Sequence, residues 1–258
     1  MATGSGFATY PSLRDRVVVV TGGASGIGAA SVEAFAANGA RVVFLDLQTE
    51  VAERLIVRLT DGNPHAPVFV PCDLTDVVSL QAAVQSIVRE FDVVDVLVNN
   101  AGNDTRHTID EVTPEFWDRT IAINLKQQFF MAQAVIPGMR QVGRGSIINM
   151  SSIAWMIPST NVAVYVTAKA GIVGMTRTLA HELGRWNIRV NCVLPGAIAT
   201  ERQRRLWLTP EYEAEVLAAQ ALQRLIEPEE VARLILFLAA DDSSAITNQS
   251  HIIDGGWV

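Results

Sequence analysis

Short, largely apolar runs recur along this chain, at 17–20, 42–45, 68–70, 94–98, 147–150, 188–193 and 251–253, with longer amphipathic stretches between them. That rhythm constrains the fold more than any other feature. A strand wetted on one side alternates apolar and polar residues, whereas a strand covered on both sides is apolar without a break. Both sides are covered when helices pack on each face of a parallel sheet, and strand–helix alternation is what winds such a sheet. Helical spacing runs through 27–38, 50–59, 77–90, 116–141, 165–185 and 229–240. Asn38-Gly39 closes the first of these, and Pro228 before Glu229-Glu230 opens the last. The expectation is an α/β fold, a doubly wound parallel sheet in a single domain over 1–258, with no repeat or interdomain linker. One segment breaks the rhythm. Residues 197–222, with Arg202, Arg204, Arg205, Trp207 and Tyr212, follow the sixth strand and read as a lid-like insertion.

Composition narrows the function classes. A net charge of −7 leaves no basic face for nucleic acid or an anionic membrane. Met1 to Tyr10 lacks the apolar core of a leader, and no apolar run nears the ~20 residues that span a bilayer. Cys72 and Cys192 are too few for a disulfide framework and sit in or near apolar strand patterns. They read as buried free thiols in a reducing cytoplasm. His65, His107, His181 and His251 show no metal-ligand spacing, so no metal is expected.

The first strand run ends in Thr21-Gly22-Gly23-Ala24-Ser25-Gly26-Ile27-Gly28, which opens the first helix. Glycines there permit a tight turn and let the backbone approach a pyrophosphate, while the helix N-terminus offers free N–H groups to the anion. Asp46 ends the second run, where a carboxylate binds the adenosine ribose hydroxyls and repels a 2′-phosphate. Neither Ser25 nor Leu47 supplies a compensating cation, and Arg41 opens the strand at its other end. NAD is favoured over NADP. Asp73, after the third run, fits either an adenine contact or a turn or helix cap. Asn99-Asn100-Ala101-Gly102 ends the fourth, where an open sheet places its ligand crevice.

Tyr165 and Lys169 lie four apart in a helical stretch, hence on one face. A phenol titrates near ~10, and a fixed ammonium beside it is expected to favour the phenolate. Ser152 follows the run 147–150 and would stand at a strand's C-terminal end, able to bond the same substrate oxygen. This is apparatus for moving a proton on or off a hydroxyl or carbonyl.

The motifs Thr21–Gly28, Asn99–Gly102, Asn124, Ser152, Tyr165/Lys169 and Pro195-Gly196, in that order, resemble the short-chain dehydrogenase/reductase family over nearly the whole chain. The resemblance implies a Rossmann-type seven-stranded sheet, a nicotinamide hydride carrier and a homotetramer. It implies Tyr165 as acid/base, Lys169 lowering its pKa and holding the nicotinamide ribose, Ser152 orienting the substrate oxygen and Asn124 anchoring a water relay to Lys169. Cofactor contacts are implied at Gly22, Ser25, Gly26, Ile27, Gly28, Asp46, Asp73, Leu74, Asn100, Ala101, Gly102, Tyr165, Lys169, Pro195, Gly196, Ile198 and Thr200. For the substrate, the polar loop Asn103-Asp104-Thr105-Arg106-His107 and the aromatic Trp155 and Trp207 suit a small polyol ring better than a steroid or acyl chain. Asn103, Ser152, Trp155, Tyr165, Arg202 and Trp207 are the candidate contacts; packing is the competing role for each tryptophan. The segments 99–107, 128–139, 167–175, 195–207 and 253–257 resemble aldose 1-dehydrogenases acting on D-xylose, L-arabinose or L-fucose-type sugars. That resemblance implies oxidation at C1 to an aldonolactone, in carbohydrate metabolism. The competing expectations are an NADPH-dependent reductase of a 3-oxoacyl or other keto compound, and a catalytically silent dinucleotide-binding regulator.

Overall fold

The computed structural model describes residues 6–258. Strands and helices alternate in order: β1 (Val17–Thr21), α1 (Gly26–Ala37), β2 (Arg41–Asp46), α2 (Thr49–Thr60), β3 (Val68–Pro71), α3 (Val77–Phe91) and β4 (Val96–Asn99). There follow α4 (Pro114–Ile121), α5 (Gln127–Val142), β5 (Gly145–Met150), α6 (Ala163–Leu183) and β6 (Ile188–Pro195). The chain ends with α7 (Glu201–Leu206), α8 (Pro210–Ala219), α9 (Pro228–Ala239) and β7 (Ser250–Ile253). All seven strands pair in parallel in one sheet, in the order β3-β2-β1-β4-β5-β6-β7.

Largely apolar strands are explained by the two cores they feed. Val18, Val20, Val42, Phe44, Val96, Val98, Ile148 and Met150 pack on one face against α1, α2 and α9. Val19, Val43, Leu45, Leu97 and Ile147 pack on the other against α3, α5 and α6. Successive residues of a strand point to opposite faces, so both sets must be mostly apolar, and the polar exceptions Ser146, Asn149, Arg189 and Asn191 are buried with hydrogen-bond partners.

Two boundaries differ from the sequence expectation. The run 94–98 starts its strand only at Val96, because the buried Asp95 carboxylate accepts the Val17 amide at 3.0 Å and meets Arg16 and Arg144 at 3.2 and 3.1 Å. The helix expected over 116–141 is interrupted by a π-helical turn at Ala122–Lys126, between α4 and α5. One widened turn of this kind breaks the periodicity of side chains and commonly marks a functional position.

Because β1 lies between β2 and β4, the strand order reverses there, and the crevice outside the carboxyl ends of β1 and β4 is where an open sheet takes its ligand. The glycine turn, Asp46, the Asn99–Gly102 stretch, Ser152 and Pro195-Gly196 all stand at the carboxyl ends of their strands, on this side of the sheet. Among the described residues, no helix is long and apolar enough to cross a membrane.

Candidate active site

The glycine turn is shaped by close backbone approach. Gly22 and Gly26 take φ of 64° and 55°, which side-chain-bearing residues adopt at a cost. A Cβ on Gly22 would come 2.9 Å from the Ala101 Cα, and one on Gly28 would run into the Gly22 carbonyl. Thr21 Oγ accepts the amides of Asn100 and Ala101 at 3.0 and 3.1 Å, while Asn100 Nδ2 donates to the carbonyls of Thr21 and Gly22. The first turn is thus laced to the end of β4. Ser25 caps α1 through backbone geometry alone, with no side-chain cap bond, and the first turn of α1 carries no acid. An open, acid-free helix N-terminus above a glycine cradle fits the pyrophosphate of a dinucleotide.

Asp46 is buried, and both its carboxylate oxygens are engaged. Oδ2 accepts the Ala24 amide at 3.0 Å; Oδ1 accepts the Leu47 and Gln48 amides at 2.8 and 3.0 Å. It therefore clamps the glycine turn as well as placing a negative charge beside it. Arg41 lies paired with Val17 at the opposite end of the sheet, away from this site. Asp73 forms an Asx turn, accepting the Thr75 amide at 2.9 Å and its hydroxyl at 2.7 Å, while Asp76 caps α3. Leu74 is buried beside it. At the far side of the crevice, Thr200 caps α7 and packs its methyl group 3.1 Å from where a Gly26 Cβ would stand. Ile198 is buried and bridges to Ile226, and Gly196 lies against Asp254 so closely that a Cβ would meet its backbone at 2.9 Å.

Tyr165 and Lys169 stand in the first two turns of α6, with the Lys169 ammonium 5.5 Å from the Tyr165 ring centre. Lys169 is buried and donates to the Met150 carbonyl at 2.9 Å, and Ser151 Oγ donates to the Lys169 carbonyl at 2.7 Å. Burial pulls the ammonium down to about 8, against the partial support of nearby Cys192 and Asp104. The expectation that Lys169 lowers the phenol is corrected here. Burial pushes Tyr165 up to about 12, the Asp104 carboxylate adds to that rise, and a hydrogen bond with Ser152 opposes it. The largest cause is desolvation, which penalises the phenolate. Ser152 also accepts the Ala154 amide at 3.1 Å, which fixes its hydroxyl at the end of β5.

The π turn explains Asn124. Fully buried, it donates to the carbonyls of Asn103 and Thr120 at 2.9 and 3.0 Å and accepts the Asn103 amide at 2.9 Å. Its Oδ1 and the Lys169 Nζ converge on Gly102, 3.0 and 3.3 Å from where a Cβ there would stand. Its direct work is to lock the loop that follows β4. Sequence spacing missed its helpers: Gln127 donates to the Ala101 carbonyl at 3.1 Å, and Gln128 to the Met150 carbonyl at 3.2 Å. The signal was there as paired glutamines opening an otherwise apolar helix stretch, since a buried amide nitrogen needs an acceptor, here a backbone carbonyl in each case.

The loop after β4 meets α7. Arg202 donates to Asp104 at 3.2 and 3.1 Å and to Asn103 Oδ1 at 3.2 Å, Gln203 donates to Asp104 at 3.0 Å, and Arg106 stacks 4.8 Å from the Trp207 ring centre. Segment 197–222 holds two helices, α7 and α8, seated on this loop. Trp155 is partly buried and packs against the cluster of Ile153, Ile172 and Leu194, as does Trp257. The indole nitrogens of Trp155 and Trp207 are both buried without a partner. His107 was read only as part of the polar loop. It is buried, its Nδ1 lies 3.1 Å from the Thr105 carbonyl, and its Nε2 takes the Val164 amide at 3.4 Å, where α6 has no side-chain cap of its own. Cys72 and Cys192 are free and buried; burial pushes Cys192 up to about 12, which leaves it inert as a nucleophile. Among the described residues, no cluster of three or more His, Cys, Asp or Glu is placed to hold a metal ion.

Residues 22–258 match the family described as enoyl-(acyl carrier protein) reductase. The chain is 49% identical over 250 residues to the D-xylose 1-dehydrogenase of Caulobacter vibrioides (strain NA1000 / CB15N), covering 97% of this chain and 98% of that one. It is 49% identical over 247 residues to a probable galactose dehydrogenase of Rhizobium meliloti (strain 1021), covering 96% of each. In fold it is similar to a 3-oxoacyl-[acyl-carrier protein] reductase from Brucella melitensis ATCC 23457, with a TM-score of 0.91 at 34% identity over 100% of this chain and 98% of that one. These matches define the class as oxidoreductases that act on CH–OH groups with a nicotinamide dinucleotide. The chain belongs to the short-chain dehydrogenase/reductase family.

Proposed function

We propose that this protein is an NAD-dependent aldose 1-dehydrogenase, oxidising the C1 hydroxyl of a cyclic sugar to the aldonolactone, which then hydrolyses to the aldonic acid. The observation that carries this is the 49% identity, over nearly the full length of both chains, to relatives named for D-xylose and galactose oxidation. The site supports it. The Ser152 hydroxyl bears on the Tyr165 phenol, lowering its pKa, and a hydroxyl oxygen of the substrate seated between them can bond both. Tyr165 is the base that takes the C1 hydroxyl proton; Ser152 orients that oxygen and stabilises charge on it as the proton leaves. Lys169 supplies the positive field and reaches toward Gly102, on the rim of the dinucleotide crevice. Asn124 holds the loop from Gly102 to Asn103 against which the sugar seats, and Arg202 and Trp207 close its other side.

When bound on the glycine cradle, the dinucleotide supplies the hydride acceptor. Gly22, Ser25, Gly26 and Gly28 would hold its pyrophosphate, and Asp46 would face the adenosine ribose. The groups gathered about Asp46 are Ala24, Ser25, Leu47 and Gln48, none of them a cation, which supports NAD over NADP. The phenol of the free protein, near 12, is a poor base. The positive charge of a bound oxidised nicotinamide would lower the phenol's pKa, which favours work in the oxidative direction. The test is NAD reduction measured across pentoses, 6-deoxyhexoses and hexoses. Turnover of at least one aldose, with NAD preferred, is expected; an absence of aldose turnover rejects the proposal.

A second reading, reduction of a 3-oxoacyl compound with NADPH, is supported by the family description and by the likeness to the Brucella melitensis reductase. Asp46 and the charged loop 103–107 weigh against it. Acetoacetyl thioester reduction exceeding aldose oxidation would favour it.

A further inference from the structure

His107 joins the loop after β4 to the start of the helix that carries Tyr165, and it does so at two points. Its backbone N–H donates to the Asn161 carbonyl at 2.8 Å, and its ring Nε2 faces the Val164 amide at 3.4 Å. Val164 directly precedes Tyr165 in α6. Asn161 holds a φ of 60°, a left-handed conformation that a residue bearing a side chain keeps only where its surroundings require it. The ring is fixed on its other sides too: Nδ1 lies 3.1 Å from the Thr105 carbonyl, and the Phe116 ring of α4 packs 4.7 Å away, centre to centre. A carbonyl only accepts and an amide N–H only donates. The two ring contacts together therefore require a neutral imidazole with its proton on Nδ1 and a bare Nε2. α6 needs that acceptor, because the first N–H groups of a helix lack partners within it and Val162, at the N-cap, makes no side-chain bond.

We propose that His107 is a positioning residue for the base: its Nε2 serves as the cap that α6 lacks and holds Tyr165 in register with the loop that receives the alcohol. The neighbouring residues of that loop are bound elsewhere, Asn103 to Asn124, Asp104 to Arg202 and Gln203, and Arg106 to Trp207. His107 is the member of the loop that bonds to α6 and to the segment before it. Without the acceptor, the first turn of α6 loosens and the phenol moves relative to Ser152 and the bound alcohol. Small displacements of a reacting group carry large losses of rate. The glycine turn makes none of these contacts, so dinucleotide binding is spared.

This role rests on Tyr165 being the base, and not on which alcohol is oxidised. Two measurements test it. The first is long-range proton–nitrogen NMR of the wild-type protein labelled at histidine, with His107 identified by elimination against variants of His65, His181 and His251. At mildly alkaline pH it is expected to show a protonated Nδ1 and a bare Nε2; a protonated Nε2 would overturn the proposal. That result needs neither turnover nor a change at His107, so it stands should a variant fold poorly. The second is kinetic, on an aldose that the wild type turns over. If no aldose is turned over, the sugar proposal alone fails and the alcohol that is oxidised takes its place. His107→Gln keeps an acceptor at the reach of Nε2 and is expected to hold kcat within about threefold of wild type. His107→Leu keeps apolar bulk against Phe116 and loses the acceptor. Its kcat is expected to fall about tenfold, with alcohol KM changed less than about threefold and dinucleotide affinity within about twofold. An unchanged kcat in His107→Leu, or equal losses in the two variants, would reduce the ring to packing and overturn the proposal. Turnover retained in Tyr165→Phe would overturn the base and this role together, whereas the wrong tautomer overturns only the role of His107.

Discussion

The glycine turn between β1 and α1 and the loop after β4 border the same crevice, yet they are held by different means. The turn is made of backbone: glycines too close to neighbouring carbonyls to bear a side chain, a threonine hydroxyl accepting two amides, and a carboxylate accepting three. The loop is made of side chains reaching across the fold, with Asn124 gripping it from the π turn and Arg202, Gln203 and Trp207 from the α7 segment. A backbone-built surface recognises what every dinucleotide shares. A surface built from exchangeable side chains can be respecified without disturbing the first, which is why function on such a fold is argued from the site rather than from the sheet.

Five substitutions test that division, the largest effect first. Tyr165→Phe belongs to neither half and is expected to lower kcat by about 10³-fold or more while dinucleotide affinity, measured by calorimetry, stays within about twofold; retained turnover would break the account of the chemistry. Lys169→Met removes a buried charge while keeping the apolar stem. The Lys169 ammonium titrates at about 8 in the fold against an ordinary 10.5, so the folded state holds fewer protons than the unfolded state between those values. The cost of the buried charge is therefore full below pH 8 and fades toward 10.5. The variant should gain up to about 3 kcal/mol of stability at pH 7 in urea unfolding, with the gain shrinking as pH rises. A loss at pH 7 would contradict the assigned burial cost.

Within the backbone-built half, Gly28→Ala drives a methyl group into the Gly22 carbonyl. It should lose about 1–3 kcal/mol of stability and bind dinucleotide at least tenfold more weakly. Asp46→Ala should weaken NAD about tenfold and NADP less; equal weakening would reduce Asp46 to a clamp of the turn. Within the side-chain-built half, Trp207→Ala should raise the sugar KM by a few-fold, on the order of 1 kcal/mol, and leave dinucleotide affinity untouched. A matching loss of dinucleotide affinity would erase the division.

The same contrast governs what could be read from the chain. Strand positions were legible because burial on both faces demands largely apolar runs, and the glycine turn because its spacing is dictated by backbone approach. Asp95 blurred one boundary, since a buried carboxylate bonded to Arg16 and Arg144 interrupts an apolar run. The π turn at Ala122–Lys126 was invisible, because it is held by Asn124 bonding a loop from another part of the chain and not by local periodicity. The Tyr165/Lys169 pair was found by its spacing, but spacing says nothing of desolvation, and so the direction of the phenol's displacement was misjudged. The meeting of Arg202 with Asp104 joins positions 98 residues apart and leaves no local trace. The Met150 carbonyl that receives both Lys169 and Gln128 has no side chain to announce it.

The central claim is that hydride leaves C1 of an aldose. Its most direct measurement uses a C1-deuterated aldose from among those turned over, followed by mass spectrometry of the reduced dinucleotide. One deuterium per reduced nicotinamide, with stoichiometric aldonic acid, is the predicted result. Reduced nicotinamide without label, formed at the unlabelled rate, would place the oxidation at another carbon and contradict the assignment.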